Sequence, residues 1–171
     1  MPACGQSGFA RRAGFRFAPA VQRVRRFIYW LPALAWMTAI FLGSTGLLAS
    51  QQTSRFLAPL LRWLWPGLSE DRLWATIFWL RKGAHMAEYA LLALLVLAAL
   101  NRTFRPWPAT WSWARAGWAL LICTGYAVSD ELHQAFEPAR FGSPLDVVID
   151  SVGAAAALGL LWCWGRWRKR W

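Results

Sequence analysis

The fold of this chain follows most directly from residues 83–100, which run GAHMAEYALLALLVLAAL. From residue 90 onwards the segment is continuously apolar, and this pattern at this length favours a helix over an alternating strand. About 20 apolar residues cross the ~30 Å hydrocarbon core of a bilayer, and the apolar residues at 73–80 indicate that this helix begins earlier. His85 and Glu88 lie inside the same segment. Ionisable groups at membrane depth are costly, so both are candidate functional residues.

The composition extends this interpretation to the whole chain. Hydrophobic residues make up 57% of the 171 residues and charged residues only 16%, which is a membrane composition. Three more apolar segments are long enough to cross a bilayer: Phe27–Ala49, Ala114–Gln134 and Leu145–Trp164. Because lipid offers no partner for backbone N–H and C=O groups, such segments are expected to be helices. The sequence therefore predicts an all-α membrane protein whose core is a four-helix transmembrane bundle.

The segment between the first two spans is too apolar for an ordinary loop. Its apolar residues suit a short helix lying in the membrane interface: Leu57, Leu60, Leu61, Trp63, Leu64 and Trp65. Pro66 is expected to end this interfacial helix. Ser69 is then the predicted N-cap of the next helix, with Glu70 and Asp71 in its first turn, where they complement the helix dipole.

Basic residues are distributed unevenly along the chain. Thirteen of the 19 lysines and arginines lie before the first span, between the second and third, or after the fourth, and no carboxylate accompanies them. The positive-inside rule therefore predicts cytoplasmic termini. The predicted organisation is a basic cytoplasmic arm at 1–26, a transmembrane domain at 27–165 and a basic cytoplasmic tail at 166–171. Because the net charge of +11 is concentrated beside the spans, nucleic acid is not expected as a partner.

Neither the cysteines nor the histidines predict a metal or a cofactor. The chain has three cysteines: Cys4, Cys123 and Cys163. They are odd in number and far apart, which fits no disulfide framework or zinc motif. His85 with Glu88, and Asp130 with His133, supply metal-ligand types at helical spacing, but no specific signature such as HExxH is present. We therefore expect no bound metal ion and no cofactor.

Polar chemistry converges on one end of the predicted bundle. All eight carboxylates and both histidines lie between residues 70 and 150, and the alternating direction of the spans brings them to the external side. Helical spacing puts Lys82 and His85 on one face, and Asp146 and Asp150 one turn apart. The prediction is a polar pocket open towards the outer leaflet, formed by Lys82, His85, Tyr89, Asp130, Glu131, Gln134, Arg140, Asp146 and Asp150.

The fourth span has a predicted start and a predicted contact face. Ser143 occupies the N-cap position and Asp146 the third helical position, so Asp146 is either the acid of a capping box or a member of the pocket. Ser151, Ala155 and Gly159 are spaced by four, which forms a face of small residues suited to close helix contact.

Two motifs resemble signatures of the VanZ-like family. Residues 82–92 run KGAHMAEYALL, and residues 130–153 run DELHQAFEPARFGSPLDVVIDSVG. Ser44 at the end of the first span also fits, and the resemblance covers about residues 30–160. It implies an integral protein of the bacterial inner membrane and cell envelope, in a family whose namesake is associated with low-level resistance to the glycopeptide teicoplanin. The resemblance implies a fold and a location rather than a reaction.

The leading functional hypothesis is a binding protein for an anionic amphiphile. The expected ligand is a membrane lipid headgroup, a lipid-linked wall precursor or a glycopeptide, held by Lys82 and Arg140 while the carboxylates orient these basic groups. Each basic residue also has a structural alternative: Lys82 as an interfacial anchor, and Arg140 as an ion-pair partner of Asp130 or Asp146. The predicted binding residues are Lys82, His85, Tyr89, Gln134, Arg140, Asp146 and Asp150.

Two other classes of function stay open at this point. In an intramembrane enzyme, His85 would act as general acid or base on a lipid-linked phosphate or ester, oriented by Asp130 or Glu131, with Asp150 as a further catalytic candidate. Because Asp130 and Glu131 point about 100° apart on a helix, only one of them is expected to face the pocket. In a proton-coupled carrier, His85 and Asp150 would carry the proton, and four helices would require a homo-oligomer.

Overall fold

The computed structural model describes residues 26–45, 50–104, 110–136 and 142–171, with the backbone alone at residues 50–53. These residues form five helices and no strand, which confirms the all-α class. The helices are α1 (Leu31–Ser44), α2 (Ser50–Leu64), α3 (Glu70–Phe104), α4 (Trp113–Ala135) and α5 (Pro144–Trp167). The predicted N-terminal arm and the predicted site residue Arg140 lie outside the described residues.

Within the described residues, three helical segments are long and apolar enough to cross a membrane. They are Arg26–Ser44, which contains α1, and the whole of α3 and α5. Their length and composition support a membrane protein. The third predicted span, Ala114–Gln134, corresponds to α4, whose 23 residues measure about 34 Å. It is long enough to cross, but it is not among the three segments with high mean hydropathy.

Helix α3 is a single helix of 35 residues, as the apolar residues before Gly83 predicted. Its length of about 52 Å exceeds a ~30 Å hydrocarbon core, so a substantial part must extend beyond one. The extra turns carry Leu73 and Ile77, which are buried against Ala58 and Leu61 of α2. An ion pair at 2.9 Å between Arg62 and Glu70 ties the same two helices together.

The main core lies between α3, α4 and α5, with α1 alongside. Its fully buried residues are small or aliphatic over most of its length, and include Leu92, Val96, Cys123 and Ala127. Helix α5 packs more extensively on α3 than on any other helix among the described residues. Gly153 explains how closely they approach, because a Cβ atom there would lie 2.4 Å from the backbone oxygen of Met86.

The predicted contact face of α5 is only partly correct. The Ser151 hydroxyl does contact α4, at 3.0 Å from the Thr124 hydroxyl. Ala155, however, is exposed, and a Cβ atom on Gly159 would meet nothing within 4 Å. The prediction is wrong for these two positions because the close neighbour of α5 is α3, which it meets on the face of Gly153 rather than on the Ala155 face.

Large apolar side chains cover the outside of the helices as well as the inside. Exposed examples on α4 and α5 are Leu121, Val128, Leu132, Val148, Val152 and Leu160. A helix of a water-soluble protein normally places polar residues on the face that points away from the core. Apolar residues on both faces indicate that these helices have lipid as their surroundings.

Tryptophan and tyrosine side chains fix α1 to its neighbours. The indole of Trp36 donates to the backbone oxygen of Glu88 at 2.9 Å, and the hydroxyl of Tyr126 donates to that of Met37 at 2.6 Å. Near the other end of α1, the indole of Trp30 donates to the hydroxyl of Thr103 at 3.2 Å. These bonds hold α1 against both α3 and α4.

Candidate functional site

Polar side chains from α3, α4 and α5 come together where α4 ends and α5 begins. We call this group the polar cluster, and it comprises Lys82, His85, Glu88, Tyr89, Asp130, Glu131, Gln134, Asp146 and Asp150. Asp150 interacts electrostatically with four other carboxyl groups of the cluster, on all three helices. The described members of the predicted pocket therefore do lie together. The prediction of their binding role is a separate matter, taken up below.

Lys82 and Asp146 form an ion pair that joins α3 to α5. The ammonium group of Lys82 contacts Oδ1 of Asp146, and the two side chains are only 18% and 15% exposed. Of the two roles that the sequence left open for Asp146, the capping box is not formed. The backbone N–H of Ser143, which that role requires, instead donates to Oε2 of Glu131 on α4 at 2.7 Å.

Asp130 and Glu131 are both buried at the end of α4. Oδ2 of Asp130 accepts a hydrogen bond of 2.9 Å from the side-chain amide of Gln134. Both acids also interact electrostatically with Asp150 on α5. The chain before α5 passes close to the end of α4, where a Cβ atom on Gly142 would lie 2.6 Å from the backbone oxygen of Glu131.

His85 lies between two carboxyl groups of very different exposure. Its Nδ1 is 3.8 Å from Oε2 of Glu88 and 3.9 Å from Oδ1 of Asp150. The side chain of Glu88 is 41% exposed, that of His85 is 20% exposed, and that of Asp150 is 1% exposed. These distances are within ion-pair range but too long for hydrogen bonds. The three groups therefore lead from the protein surface into the interior.

Several buried atoms of the cluster have no hydrogen-bond partner among the described residues. They are both carboxylate oxygens of Asp150, Oδ1 of Asp130, Oε1 of Glu131, the hydroxyl of Tyr89 and Nδ1 of His85. Buried polar side-chain atoms in native proteins are nearly always hydrogen-bonded. Burying a polar group without a partner has a substantial free-energy cost, so this concentration makes the cluster the candidate functional site among the described residues.

Glu88 was a candidate functional residue from its position in the second span, but the predicted pocket did not include it, although it lies three residues from His85 on the same helical face. His133, by contrast, packs its ring against Phe41 of α1, with the ring centroids 4.6 Å apart. Arg140 stays a sequence-based prediction, because it is outside the described residues. Within the described part of the chain, no group of three or more His, Cys, Asp or Glu side chains is arranged to hold a metal ion.

A cavity of about 410 Å³ opens between α4 and α5 beside the cluster. We call it the α4/α5 groove, and it is lined by Val128, Glu131, Leu132, Ala135, Gly142, Ser143, Pro144 and Val147. Its lining is almost wholly apolar. The polar side chains in its lining are those of Glu131 and Ser143, and Glu131 belongs to both the groove and the polar cluster.

Comparison with known proteins gives a result at the family level. No curated protein and no solved structure matches the chain. The sequence model of the VanZ/LLP1 family matches residues 27–165, which is most of the chain and includes every described residue of the polar cluster. The match agrees with the resemblance carried by residues 82–92 and 130–153. This chain therefore belongs to the VanZ/LLP1 family.

Proposed function

We propose that this chain is a four-span protein of the bacterial inner membrane that binds the polar group of a membrane amphiphile at the polar cluster. The amphiphile would be a lipid, a lipid-linked wall precursor or a glycopeptide, and binding would affect glycopeptide susceptibility. One observation carries the proposal. Helices that otherwise bury only apolar or small residues here enclose several ionisable groups, four of whose carboxylate oxygens have no partner among the described residues.

The four-span architecture rests on the surroundings of α4. This helix is long enough to cross, it packs on α1, α3 and α5, and its outward face carries exposed Leu121, Val128 and Leu132. Its lower hydropathy comes from the polar cluster residues near its end, which face inward. Helix α2 would lie in the interface, because Ala58 and Leu61 are buried while Phe56 and Trp63 are exposed.

The orientation follows from the basic residues. The 13 lysines and arginines at the two termini and between the second and third spans favour cytoplasmic termini, which puts the polar cluster towards the external side. At that level a cluster between helix ends is accessible to the headgroups of the outer leaflet. A ligand would reach it without entering the middle of the membrane.

The α4/α5 groove supports an amphiphile rather than a small polar solute. Ligand sites are typically apolar cavities with a few placed polar groups, and the groove has this character. Val128, Leu132 and Val147 offer an apolar surface to a hydrocarbon chain. A chain bound there would bring its polar group to Glu131 and so to the edge of the cluster.

The predicted preference for an anionic group depends on Arg140. Lys82 is already paired with Asp146. Among the described residues of the cluster, carboxyl groups are more numerous than basic side chains. An anion would therefore need a second positive charge, which Arg140 is the sequence-based candidate to supply. Replacing Arg140 by alanine tests that role separately from the function as a whole.

The proposal can be tested with the purified full-length protein in detergent. Native mass spectrometry would measure retention of added phosphatidylglycerol and phosphatidylethanolamine, and a titration would measure teicoplanin binding. We expect Asp150→Asn and Lys82→Met to weaken ligand retention about tenfold, the effect of losing one good charge-assisted hydrogen bond. Asp71→Asn, an exposed acid in the first turn of α3, is the matched control. Unchanged retention in both cluster variants would contradict the proposal.

A second candidate function is acid/base catalysis on a lipid-linked phosphate or ester. The position of His85, 3.8 Å from Glu88 and 3.9 Å from Asp150, favours it, because a catalytic imidazole is commonly oriented by a carboxylate. Radiolabelled lipid would be incubated with wild type and His85→Gln. Product that forms with wild type and is lost in the variant would favour catalysis over binding alone.

A further inference from the structure

We infer that the polar cluster selects a ligand carrying a primary ammonium group, delivered as the headgroup of a lipid seated in the α4/α5 groove. The inference rests on the proposed function and names its ligand class. It reverses the sign of charge that the sequence predicted for the ligand. The observation behind it is that buried hydrogen-bond acceptors in the cluster exceed the donors that can reach them.

The acceptors and donors can be counted atom by atom. Four buried carboxylate oxygens have no hydrogen-bond partner among the described residues: both of Asp150, Oδ1 of Asp130 and Oε1 of Glu131. Two potential donors are also without partners, namely the hydroxyl of Tyr89 and Nδ1 of His85. Even if both of these groups donated to carboxylate oxygens, two of the four oxygens would still have no hydrogen-bond donor. A primary ammonium group has three N–H donors, as the lysine side chain does.

The balance of charge points the same way. The cluster contains five carboxyl groups, from Glu88, Asp130, Glu131, Asp146 and Asp150. Among the described residues, the basic side chains near them are Lys82, which is already paired, and Arg81, which acts on His85 from one turn away. Water could supply hydrogen bonds to the free oxygens, but it brings no charge. A buried carboxylate is tolerated when a positive group is beside it, so a cationic ligand fits this cluster better than an anionic one.

The route into the cluster runs through Glu131. Its Oε2 accepts from the backbone N–H of Ser143, while its Oε1 has no partner among the described residues. Because the same side chain lines the α4/α5 groove, a headgroup amine can meet Oε1 while its acyl chain contacts Val128, Leu132 and Val147. The apolar groove and the carboxylate at its edge together match a lipid that ends in an amine.

The experiment compares three lipids with identical acyl chains on purified full-length protein, using retention in native mass spectrometry. Phosphatidylethanolamine carries N–H donors and a positive charge, phosphatidylcholine carries the charge without N–H donors, and phosphatidylglycerol is anionic. We expect phosphatidylethanolamine to be retained about tenfold better than either of the others, as for one charge-assisted hydrogen bond. Equal retention of the three, or preference for phosphatidylglycerol, would overturn the inference.

Variants locate the selectivity. Glu131→Gln keeps an acceptor for the backbone N–H of Ser143 but loses the negative charge. Asp150→Asn likewise removes the negative charge of the buried acid while keeping an acceptor oxygen. In both variants the retention of phosphatidylethanolamine is expected to fall to that of phosphatidylcholine. The matched controls Glu70→Gln and Asp71→Asn should leave the preference for phosphatidylethanolamine unchanged. Unfolding temperatures measured alongside show that the variants are folded. A preference that survives in both cluster variants would place the amine elsewhere and overturn the inference.

Two further outcomes separate the ligand source and the underlying function. Competition by soluble ethanolamine at millimolar concentration, without acyl chains, would show that the amine alone is recognised and would overturn the groove-bound lipid. If the wild type shows no preference and Arg140→Ala prefers phosphatidylethanolamine, the chain's own arginine supplies the positive charge to the cluster. That outcome would also overturn the inference. If the wild type retains all three lipids equally and the cluster variants retain them less, the inference fails while the proposed function stands. If no amphiphile is retained, both fail.

Discussion

Gly153 shows how a single residue determines the geometry of the site. It lies on α5 opposite the backbone of Met86, one residue after His85 on α3. The close approach of the two helices there is what puts Nδ1 of His85 within 3.9 Å of Asp150. Small residues commonly permit this kind of contact between membrane helices, where backbones come close together.

Gly153→Ala should destabilise the protein. Its Cβ atom would lie 2.4 Å from the Met86 oxygen and 2.8 Å from its Cα, and backbone atoms cannot move aside without shifting a helix. We expect a loss of about 1–3 kcal/mol, typical of overpacking, seen as a lower midpoint of thermal unfolding by circular dichroism in detergent.

Gly159→Ala is the matched control on the same helix. Nothing lies within 4 Å of its Cβ position, and alanine has a higher helix propensity than glycine by about 1 kcal/mol. Its midpoint should therefore stay the same or rise. Equal destabilisation by both substitutions would mean that α5 does not approach α3 closely at Gly153.

The partner of each polar residue was harder to predict than its type. Helical spacing correctly indicated that Lys82 and His85 share a face, because that relation is local. The pairing of Lys82 with Asp146 joins residues 64 positions apart, and it depends on the packing of two helices. The capping-box pattern left a role within its own helix open for Asp146, because sequence patterns of this kind contain only local relations.

At the scale of elements, α5 begins where a carboxylate of another helix meets it. Ser143 is the N-cap, but its side chain makes no capping hydrogen bond. Oε2 of Glu131 takes the Ser143 N–H instead, and it puts a carboxyl group beside the positive end of the helix dipole. The start of α5 is therefore coupled to the end of α4, and both belong to the polar cluster.

Glu131→Ala should loosen the first turn of α5. Losing the acceptor leaves the Ser143 N–H without its partner, at a cost of about 1–2 kcal/mol, comparable to the loss of an N-cap. Hydrogen exchange would show faster exchange of the backbone amides of Ser143 and of residues 145–147. Ser143→Ala is the control, since its hydroxyl makes no capping bond. Faster exchange in Ser143→Ala alone would show that the serine, not Glu131, caps the helix.

Helix positions were largely predictable because the apolar runs define them. The third predicted segment, Ala114–Gln134, differs by one residue at each end from the observed α4. The second predicted segment, residues 83–100, and the helical turns that follow Ser69 form one long helix, α3, as the apolar residues in those turns indicated. Which helix α5 packs on most extensively was not predictable, since small residues occur on more than one of its faces and only the tertiary structure selects Gly153.

At the scale of the whole molecule, the two ends of the helices differ in chemistry. One end holds the polar cluster. The other holds an aromatic and basic group. The ring of Trp111 contacts those of Trp113 and Trp171, Trp113 also contacts Trp162, and Arg168 and Arg170 lie over Trp164. Tryptophan and arginine in this arrangement are typical of the cytoplasmic membrane interface. The asymmetry supports an orientation with the cluster towards the outside.

This orientation makes a prediction that also decides whether α4 crosses the membrane. Four spans put both termini on the same side, and the basic residues put that side in the cytoplasm. A green fluorescent protein fused after Trp171 should then fluoresce, and alkaline phosphatase fused there should be inactive, with the same results for N-terminal fusions. If only α1, α3 and α5 cross, the termini fall on opposite sides. An active C-terminal phosphatase with a fluorescent N-terminal fusion would therefore contradict the four-span bundle, and it would leave Asp130 and Glu131 on a helix that does not cross the membrane.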